Sequence, residues 1–373
     1  MSKPTVVIAG LGDTGVMIAT RLSKKFNVVA ISTRTSLVSG QELGTRLTDL
    51  PRWKKTYLIP LRRFKRLDAV DVVHGKVRTA DLESNQVVVD LADGGERTIS
   101  YDYFIIATGV ANGFWRTDAV QGEREIQLSI DSVTQQLASA KKVAIVGGGA
   151  TGVSVADNLA RTKKVEVHLF HSGDEPLPEF HPRVRRWCVR QLTTDGVIVH
   201  PNHRADLPEG FQANSLTSDP IKWSTGQEPF TADLVLWAVG NVRPFSSFLP
   251  SAVLDDDGFV LVDENLRVPN HANVFAVGDV AASDPLRSSA RNWGHRVVVA
   301  NINAVANNKS GKLQKYKPAP YRWGSILGLQ PEGLTVVQPN GKYFRIPHWF
   351  AKPFLFGVFV QRSLYGGLRK SDR

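Results

Sequence analysis

The chain has 373 residues, which is enough for two or three domains of ordinary size. Hydrophobic residues make up 42% of the sequence and charged residues 22%, which are values of globular rather than disordered proteins. No apolar run approaches the roughly 20 residues that a membrane-spanning helix needs. A single cysteine, Cys188, excludes an internal disulfide and a redox-active cysteine pair, and predicts a reducing, cytoplasmic location.

The formal net charge is +11, which favours anionic partners such as nucleotides, phospholipid headgroups or nucleic acid. Solubility alone explains this charge equally well. The nine histidines are scattered and lack metal-binding spacing, so the sequence predicts no metal site.

A first glycine motif follows the apolar run Thr5–Ala9 and precedes a helical pattern. This strand–turn–helix order is typical of a dinucleotide-binding turn, in which the helix N–H groups face a diphosphate. The usual acidic ribose anchor is missing, and Ser32, Thr33 and Arg34 stand in its place. A hydroxyl there can bond a ribose, and the arginine can meet a phosphate. The candidate contacts within the turn are Gly10, Gly12, Asp13, Thr14 and Gly15.

A basic, aromatic-containing stretch spans residues 52–66 and is followed by a predicted strand that ends at Val77, a further candidate cofactor contact. The stretch suits phosphate contact, a membrane-facing patch or a solvated basic face. Lys54 and Lys55 are its candidate cofactor contacts. A later apolar strand, Tyr101–Ile106, ends in three small residues that let the backbone approach a dinucleotide, namely Ala107, Thr108 and Gly109.

A second glycine motif follows the apolar run Val143–Val146, again at the G-x-G-x-x-G spacing. The strand after its helix ends at His171, where NADH-selective enzymes usually keep an acidic residue, so NADPH is not excluded. Another strand ends at Gly240, as expected at the close of a nicotinamide-binding domain. The candidate contacts within the turn are Gly147, Gly149, Ala150, Thr151 and Gly152.

The last third of the chain contains a strand that ends in Gly278 and Asp279, followed by Val280. A helical pattern then runs from about Ser288 to Val305, and Trp293 near its start is a candidate contact for a bound ring system. Farther on, residues 348–360 are rich in aromatics and are followed by basic residues. Such a segment suits a bilayer surface, or a third layer over the cofactor.

The order of these motifs resembles that of flavoproteins with two dinucleotide-binding domains. Within them the chain is similar to the apoptosis-inducing-factor-like and ferroptosis suppressor protein family, which is related to type II NADH:quinone oxidoreductases. The smaller matches that carry this resemblance are Lys54-Lys55-Thr56, residues 169–172, Val274–Asp279 and Ala300-Asn301-Ile302. The resemblance implies an α/β fold with two Rossmann-like domains and a small C-terminal α+β segment.

The resemblance also implies a noncovalent FAD that accepts hydride from NADH or NADPH and reduces a quinone or another small acceptor. A family lysine near the flavin aligns with Lys54 or Lys55. The family's usual glutamate, two residues past the second motif, is replaced by Ser154, and Arg291, Asn292 and Trp293 also depart from the pattern. Lys55, Ser154 and Trp293 are the candidate catalytic residues.

The motif order predicts that residues 1–112 and 251–315 form the FAD-binding domain, and that residues 113–250 form the NAD(P)H-binding domain. Residues 316–373 form a C-terminal segment, of which residues 348–373 are a candidate peripheral membrane contact. Three other functions stay open at this point. One is a reductase of a protein electron carrier that docks on residues 52–66, another is a flavin monooxygenase, and the third is a basic nucleic-acid-binding flavoprotein. The third is disfavoured, because no helix-turn-helix or RNP signature is present. The oligomeric state is not predicted.

Overall fold

The computed structural model describes residues 3–39, 43–111, 117–211, 216–239 and 242–369. The strands in this part of the chain are β1 Thr5–Ala9, β2 Asn27–Ser32, β3 Ser36–Val38, β4 Leu58–Pro60, β5 Val70–Asp81, β6 Gln86–Leu91, β7 Glu96–Ser100, β8 Tyr103–Ile106, β9 Val110–Ala111, β10 Lys142–Val146, β11 Glu166–Phe170, β12 Val197–His200, β13 Leu216–Thr217, β14 Leu234–Trp237, β15 Arg243–Pro244, β16 Val274–Ala276, β17 Leu329–Gln330, β18 Gly333–Val337 and β19 Tyr343–Ile346.

The α-helices are α1 Asp13–Leu22, α2 Leu43–Thr48, α3 Leu50–Tyr57, α4 Glu123–Ser139, α5 Ala150–Arg161, α6 Pro182–Asp195, α7 Gly294–Ala306 and α8 His348–Phe350. Helix α8 continues directly into a helix with π-type hydrogen bonding, Ala351–Leu364. We call α8 and this continuation the C-terminal helix. Short 3₁₀ turns occur at Leu61–Arg63, Lys65–Ala69, Ser251–Val253 and Ser310–Lys312.

The first sheet has seven strands in the order β16-β8-β1-β2-β5-β6-β7. Its central pairs, β1 with β2 and β8, are parallel, whereas β5, β6 and β7 pair antiparallel. Strands β1 and β8 consist mostly of Val, Ile and Phe that are fully buried, as expected for parallel strands covered on both faces. Strand β16 comes from late in the chain and still pairs with β8, so one sheet joins two distant segments.

The second sheet has five strands in the order β12-β11-β10-β14-β13. Strands β10, β11, β12 and β14 pair in parallel, and β13 joins antiparallel at the edge. Two short strands, β9 and β15, pair antiparallel where the chain leaves the first sheet and returns to it. The second sheet is thus an insertion between two parts of the first.

The C-terminal segment is a third layer with a core of its own. Strands β17, β18 and β19 form an antiparallel sheet. That sheet and Ala351 of the C-terminal helix share a buried cluster with Trp53 and Tyr57 of α3 and with Ile126 and Ile130 of α4. The segment therefore packs on α3 and α4.

The two sheets and the third layer confirm the predicted α/β fold with a C-terminal α+β segment. One predicted element differs, because α7 begins at Gly294 rather than near Ser288. Trp293 adopts a left-handed conformation with a φ of +63°, so the helix cannot extend N-terminal to it. Among the described residues, no helix is long and apolar enough to cross a bilayer.

Candidate functional site

The first glycine turn joins β1 to α1 through very close backbone contacts. A Cβ atom on Gly10 would lie 2.5 Å from the carbonyl oxygen of Ala107, and one on Gly15 would lie 1.9 Å from that of Gly10. Both separations are too short for any side chain, so the fold itself requires these two glycines. The contact also brings Ala107, at the end of β8, directly against the turn.

The second glycine turn, between β10 and α5, repeats this arrangement. A Cβ atom on Gly147 would lie 2.4 Å from the carbonyl oxygen of Ala238, and one on Gly152 would lie 2.0 Å from that of Gly147. Ala150 and Thr151 are half-buried at the start of α5. The other predicted contact of this domain, Gly240, lies outside the described residues.

The middle glycine of each turn has different surroundings. A Cβ atom on Gly12 or Gly149 would meet nothing within 4 Å. Each is the N-cap residue of its helix, and a glycine has no side chain that could cap the first N–H groups. The first N–H groups of α1 and α5 therefore face open space in which a Cβ would intrude. This is the arrangement that fits a dinucleotide diphosphate.

The other predicted FAD contacts lie around the first turn. The hydroxyl of Thr14 lies 3.8 Å from the position that a Cβ on Gly278 would take, so the Gly-Asp strand end abuts the turn. The Thr108 hydroxyl donates to the carbonyl of Phe245 at 2.7 Å. Asp279 is half-buried, whereas Val280 is fully buried. Gly109 follows Thr108 with a φ of +75°.

The residues in the place of the ribose anchor are engaged within the protein. The Ser32 hydroxyl donates to the carbonyl of Arg34 at 2.8 Å, and the Arg34 guanidinium donates to the carbonyl of Thr117 at 3.1 Å. The carbonyl of Thr33 accepts from the amide of Gln121. The end of β2 thus binds the segment that leads to α4, and a ribose contact by Ser32 or Arg34 stays a prediction.

His171 lies against the second turn. A Cβ on Gly148 would lie 2.6 Å from the Cβ of His171, and the histidine side chain is only 5% exposed. Burial lowers the pKa of His171, with smaller contributions from His203 and Arg185, which favours a neutral imidazole at physiological pH. A neutral ring neither repels nor electrostatically attracts a ribose 2′-phosphate.

The predicted lysine contacts are not brought to the turns. Lys54 pairs with Asp131 of α4 at 2.8 Å, and Lys55 is exposed. Val77 is buried in the core of the first sheet. The cation that this region buries is Arg46, which is 2% exposed, lies 4.4 Å over the ring of Trp53 and donates to the carbonyl of Ser39. No sequence motif singled out Arg46.

Ser154 lies at the contact between α5 and α2. Its hydroxyl accepts from the amide of Gly44 in α2 at 3.3 Å, and its carbonyl accepts from the Asn158 amide at 2.8 Å. Asn158 also donates to the carbonyl of Leu327 and accepts from Gln330, in the C-terminal segment. At the position of the family's glutamate, this chain therefore has a hydroxyl that joins α5 to α2.

Trp293, the third candidate catalytic residue, is half-buried beside α7. The guanidinium of Arg296 lies 4.1 Å over its ring. The preceding residue, Asn292, belongs to a hydrogen-bond network with Ser288, Tyr316 and Trp323. Residues 288–292 were predicted to form the first turns of α7, but their side chains belong to this network and the helix begins at Gly294.

A small cavity lies between the C-terminal helix and the α3–β4 region, next to the first glycine turn. It is lined by Ser39, Thr56, Tyr57, Ile59, Val360, Gln361 and Tyr365. The hydroxyls of Ser39 and Tyr365 both donate to the carboxylate of Asp13 in the turn. Sequence reasoning predicted Asp13 as a contact but missed Ser39 and Tyr365, because these partners lie 26 and 352 residues away from it along the chain.

The contact between α2 and α5 yields a direct prediction. A Cβ on Gly44 would lie 2.4 Å from both the Asn158 amide nitrogen and the Ser154 carbonyl oxygen, so Gly44→Ala should destabilise the protein by about 1–3 kcal/mol. Urea unfolding measures this effect. Gly311→Ala is the matched control, because a Cβ there meets nothing within 4 Å. Equal urea-unfolding midpoints for Gly44→Ala and Gly311→Ala would contradict the close contact between α2 and α5.

Comparison with known proteins identifies the family of the chain. A family model described as pyridine nucleotide-disulphide oxidoreductase matches residues 4–304. Apoptosis-inducing factor homolog B of Dictyostelium discoideum is 28% identical over 364 residues, covering 91% of this chain and 90% of the relative. Ferroptosis suppressor protein 1 of Xenopus tropicalis is 27% identical over 349 residues, covering 91% and 89%. The family resemblance predicted from the sequence is therefore confirmed.

Solved structures with low sequence identity share the fold. The sulfide:quinone oxidoreductase of Aquifex aeolicus gives a TM-score of 0.72 at 16% identity, covering 99% of this chain and 93% of that chain. A ferredoxin reductase of Rhodopseudomonas palustris gives 0.63 at 20% identity, covering 86% and 80%. The chain is an NAD(P)H-dependent flavoprotein oxidoreductase that uses FAD, and it belongs to the pyridine nucleotide-disulphide oxidoreductase family.

Proposed function

We propose that this protein passes electrons from NADH or NADPH, through FAD, to a quinone at a membrane surface. The observation that carries the proposal is an exposed aromatic strip on the C-terminal helix, beside a cavity that adjoins the first glycine turn. When bound, FAD supplies the redox chemistry, taking a hydride from NAD(P)H and passing electrons to the acceptor.

We assign the first turn to FAD and the second to NAD(P)H. The N–H groups at the starts of α1 and α5 bind the two diphosphates, and the open space at Gly12 and Gly149 accommodates them. Neutral, buried His171 lies where a negative charge would disfavour NADPH, so both nicotinamide nucleotides are substrates.

We assign acceptor access to the surface around the cavity beside the C-terminal helix; the cavity itself has room only for a water-sized group. Ile59 and Val360 supply apolar walls, and Thr56 and Gln361 supply polar groups for a quinone carbonyl. The lone cysteine argues against sulfide or disulfide chemistry in this cavity. Cys188 is fully buried away from it, and burial raises the pKa of its thiol, so the reactive thiolate is disfavoured.

The membrane assignment depends on the surface next to this cavity. Trp349 is 72% exposed, and the other large apolar residues exposed on the C-terminal helix are Phe350, Phe354, Val358 and Phe359. Exposed cations accompany them at Lys342, Arg345, Lys352 and Arg362. Aromatic residues next to cations suit a peripheral contact with an anionic bilayer surface, where quinones dissolve.

A protein electron carrier is the second candidate acceptor, because a ferredoxin reductase shares the fold. Its docking surface would be the basic stretch 52–66. Much of that stretch is engaged within the protein, however. Arg52 donates to the carbonyl of Leu329, Lys54 pairs with Asp131, and Arg63 donates to the carbonyl of Arg369. An apolar strip suits a lipid-soluble acceptor better than an acidic protein.

The nucleotide assignment predicts opposite phenotypes for two matched substitutions. Both Gly12→Ala and Gly149→Ala should fold, because neither Cβ meets the protein and neither φ is positive. Gly12→Ala should lose bound flavin, whereas Gly149→Ala should keep it but be reduced poorly by NADH. Absorption spectra and flavin reduction measure the two effects. Normal flavin content in Gly12→Ala would refute the assignment.

The acceptor assignment is tested by anaerobic NADH oxidation with a panel of acceptors. We expect a short-chain ubiquinone analogue to sustain turnover, and an iron–sulfur carrier protein to sustain little at physiological ionic strength. Val360→Trp, which fills the cavity, should raise the KM for the quinone and leave flavin reduction by NADH unchanged. Fast, salt-sensitive turnover with the carrier alone would favour the second candidate.

Membrane binding is tested by sedimentation with vesicles that contain anionic phospholipid. The double substitution Trp349→Ser and Phe354→Ser should lower the bound fraction by about tenfold, because each side chain loses apolar burial in the bilayer. Leu207→Ser is the matched control, since Leu207 is 51% exposed on the second domain. A bound fraction that the double substitution does not change would exclude the strip as the contact.

A further inference from the structure

Asp13 places a carboxylate in the turn that we assign to the FAD diphosphate. It follows Gly12 directly and is the first residue of α1. A helix N-terminus favours negative charge, but here a carboxylate and a diphosphate would share it and repel each other. The position of the Asp13 side chain therefore affects how firmly the cofactor is held.

Among the residues that the structure describes, the hydroxyls of Ser39 and Tyr365 contact the Asp13 carboxylate. Ser39 Oγ donates to its two oxygens at 3.1 and 3.2 Å, and the Tyr365 hydroxyl donates to Oδ1 at 2.5 Å. Tyr365 lies 352 residues downstream, just after the C-terminal helix, and is only 4% exposed. A hydrogen bond to an ionised group in such a buried setting is among the stronger ones in proteins.

The surroundings of Tyr365 fix its position. Its ring packs edge-on against Phe64, with centroids 5.4 Å apart. On either side of it, Arg21 donates to the carbonyl of Leu364 at 3.2 Å, and the amide of Lys65 donates to the carbonyl of Gly367 at 3.1 Å. The end of the chain is thus attached to α1 and to the segment after β4. Burial raises the pKa of Tyr365 well above its ordinary value, so the phenol keeps its proton and remains a donor.

Farther along, Arg369 completes this attachment. Its guanidinium pairs with Asp68, and its carbonyl accepts from the Arg63 guanidinium at 2.9 Å. The segment 364–369 therefore crosses the first domain as an ordered strap. Tyr365 is the side chain by which this strap contacts the glycine turn.

We propose that Tyr365 is a positioning residue for the cofactor, which latches the C-terminal strap onto the first glycine turn and holds the Asp13 carboxylate away from the FAD diphosphate. The inference rests on the assignment of that turn to FAD. It explains why a hydroxyl from the far end of the chain reaches a phosphate-binding turn. Since Tyr365 also lines the acceptor cavity, cofactor retention is coupled to the segment that forms this cavity.

The test is a double-substitution cycle on the rate of FAD dissociation, measured as the recovery of flavin fluorescence after dilution of the holoprotein. Tyr365→Phe removes one donor from the carboxylate, so dissociation should be about tenfold faster. Asp13→Asn removes the charge that the phenol restrains. In that background, adding Tyr365→Phe should change the rate less than about twofold. Tyr343→Phe is the matched control, because Tyr343 is 46% exposed on β19, and it should dissociate at the wild-type rate.

Two results would contradict the proposed positioning role of Tyr365. One is an unchanged rate for Tyr365→Phe, and the other is a full tenfold effect in the Asp13→Asn background, which would indicate general loosening of the strap. Failure of the proposed function has a different signature. In that case Gly12→Ala keeps its bound FAD, which refutes the assignment of the first turn, and both proposals fall together. Bound FAD with a rate that does not depend on Tyr365 rejects the latch alone.

Discussion

Close backbone packing at the two glycine turns is the constraint on which the rest of the structure depends. Gly10 lies so near the carbonyl of Ala107, and Gly147 so near that of Ala238, that a side chain at either glycine would separate a turn from its sheet. Each contact sets the direction in which a helix leaves the sheet. Both helices consequently present their first N–H groups to open space, and two nucleotides can bind one protein.

The C-terminal segment contacts the rest of the protein at two places. Its small sheet packs on α3 and α4, and residues 364–369 run back across the first sheet's flanking segments. The C-terminal helix between these attachments buries Ala351 and leaves Trp349 and Phe354 exposed. One segment therefore forms a wall of the candidate acceptor cavity, supplies the exposed aromatic strip and contacts the cofactor turn. The two predicted roles of this segment, a third layer and a bilayer contact, are physically compatible.

The sequence predicted those parts of the site that local patterns determine. Glycine spacing, the preceding apolar strands and the Gly278-Asp279 strand end all depend on neighbours in the chain, and they are where the pattern puts them. It could not predict contacts between distant segments, such as that of Ser154 with Gly44 or of Tyr365 with Asp13. Helix α7 starts later than expected because a left-handed residue interrupts a helical pattern, and periodicity does not report backbone φ.

The most direct measurement of the central claim is anaerobic rapid mixing in two steps. The oxidised holoprotein is first mixed with one equivalent of NADH and then with a short-chain quinone, while flavin absorbance is followed. The account predicts that the flavin is reduced in the first step and reoxidised in the second at a rate at least as fast as steady-state turnover. Reduced flavin that persists with quinone, and is reoxidised only by a carrier protein or by oxygen, would contradict it.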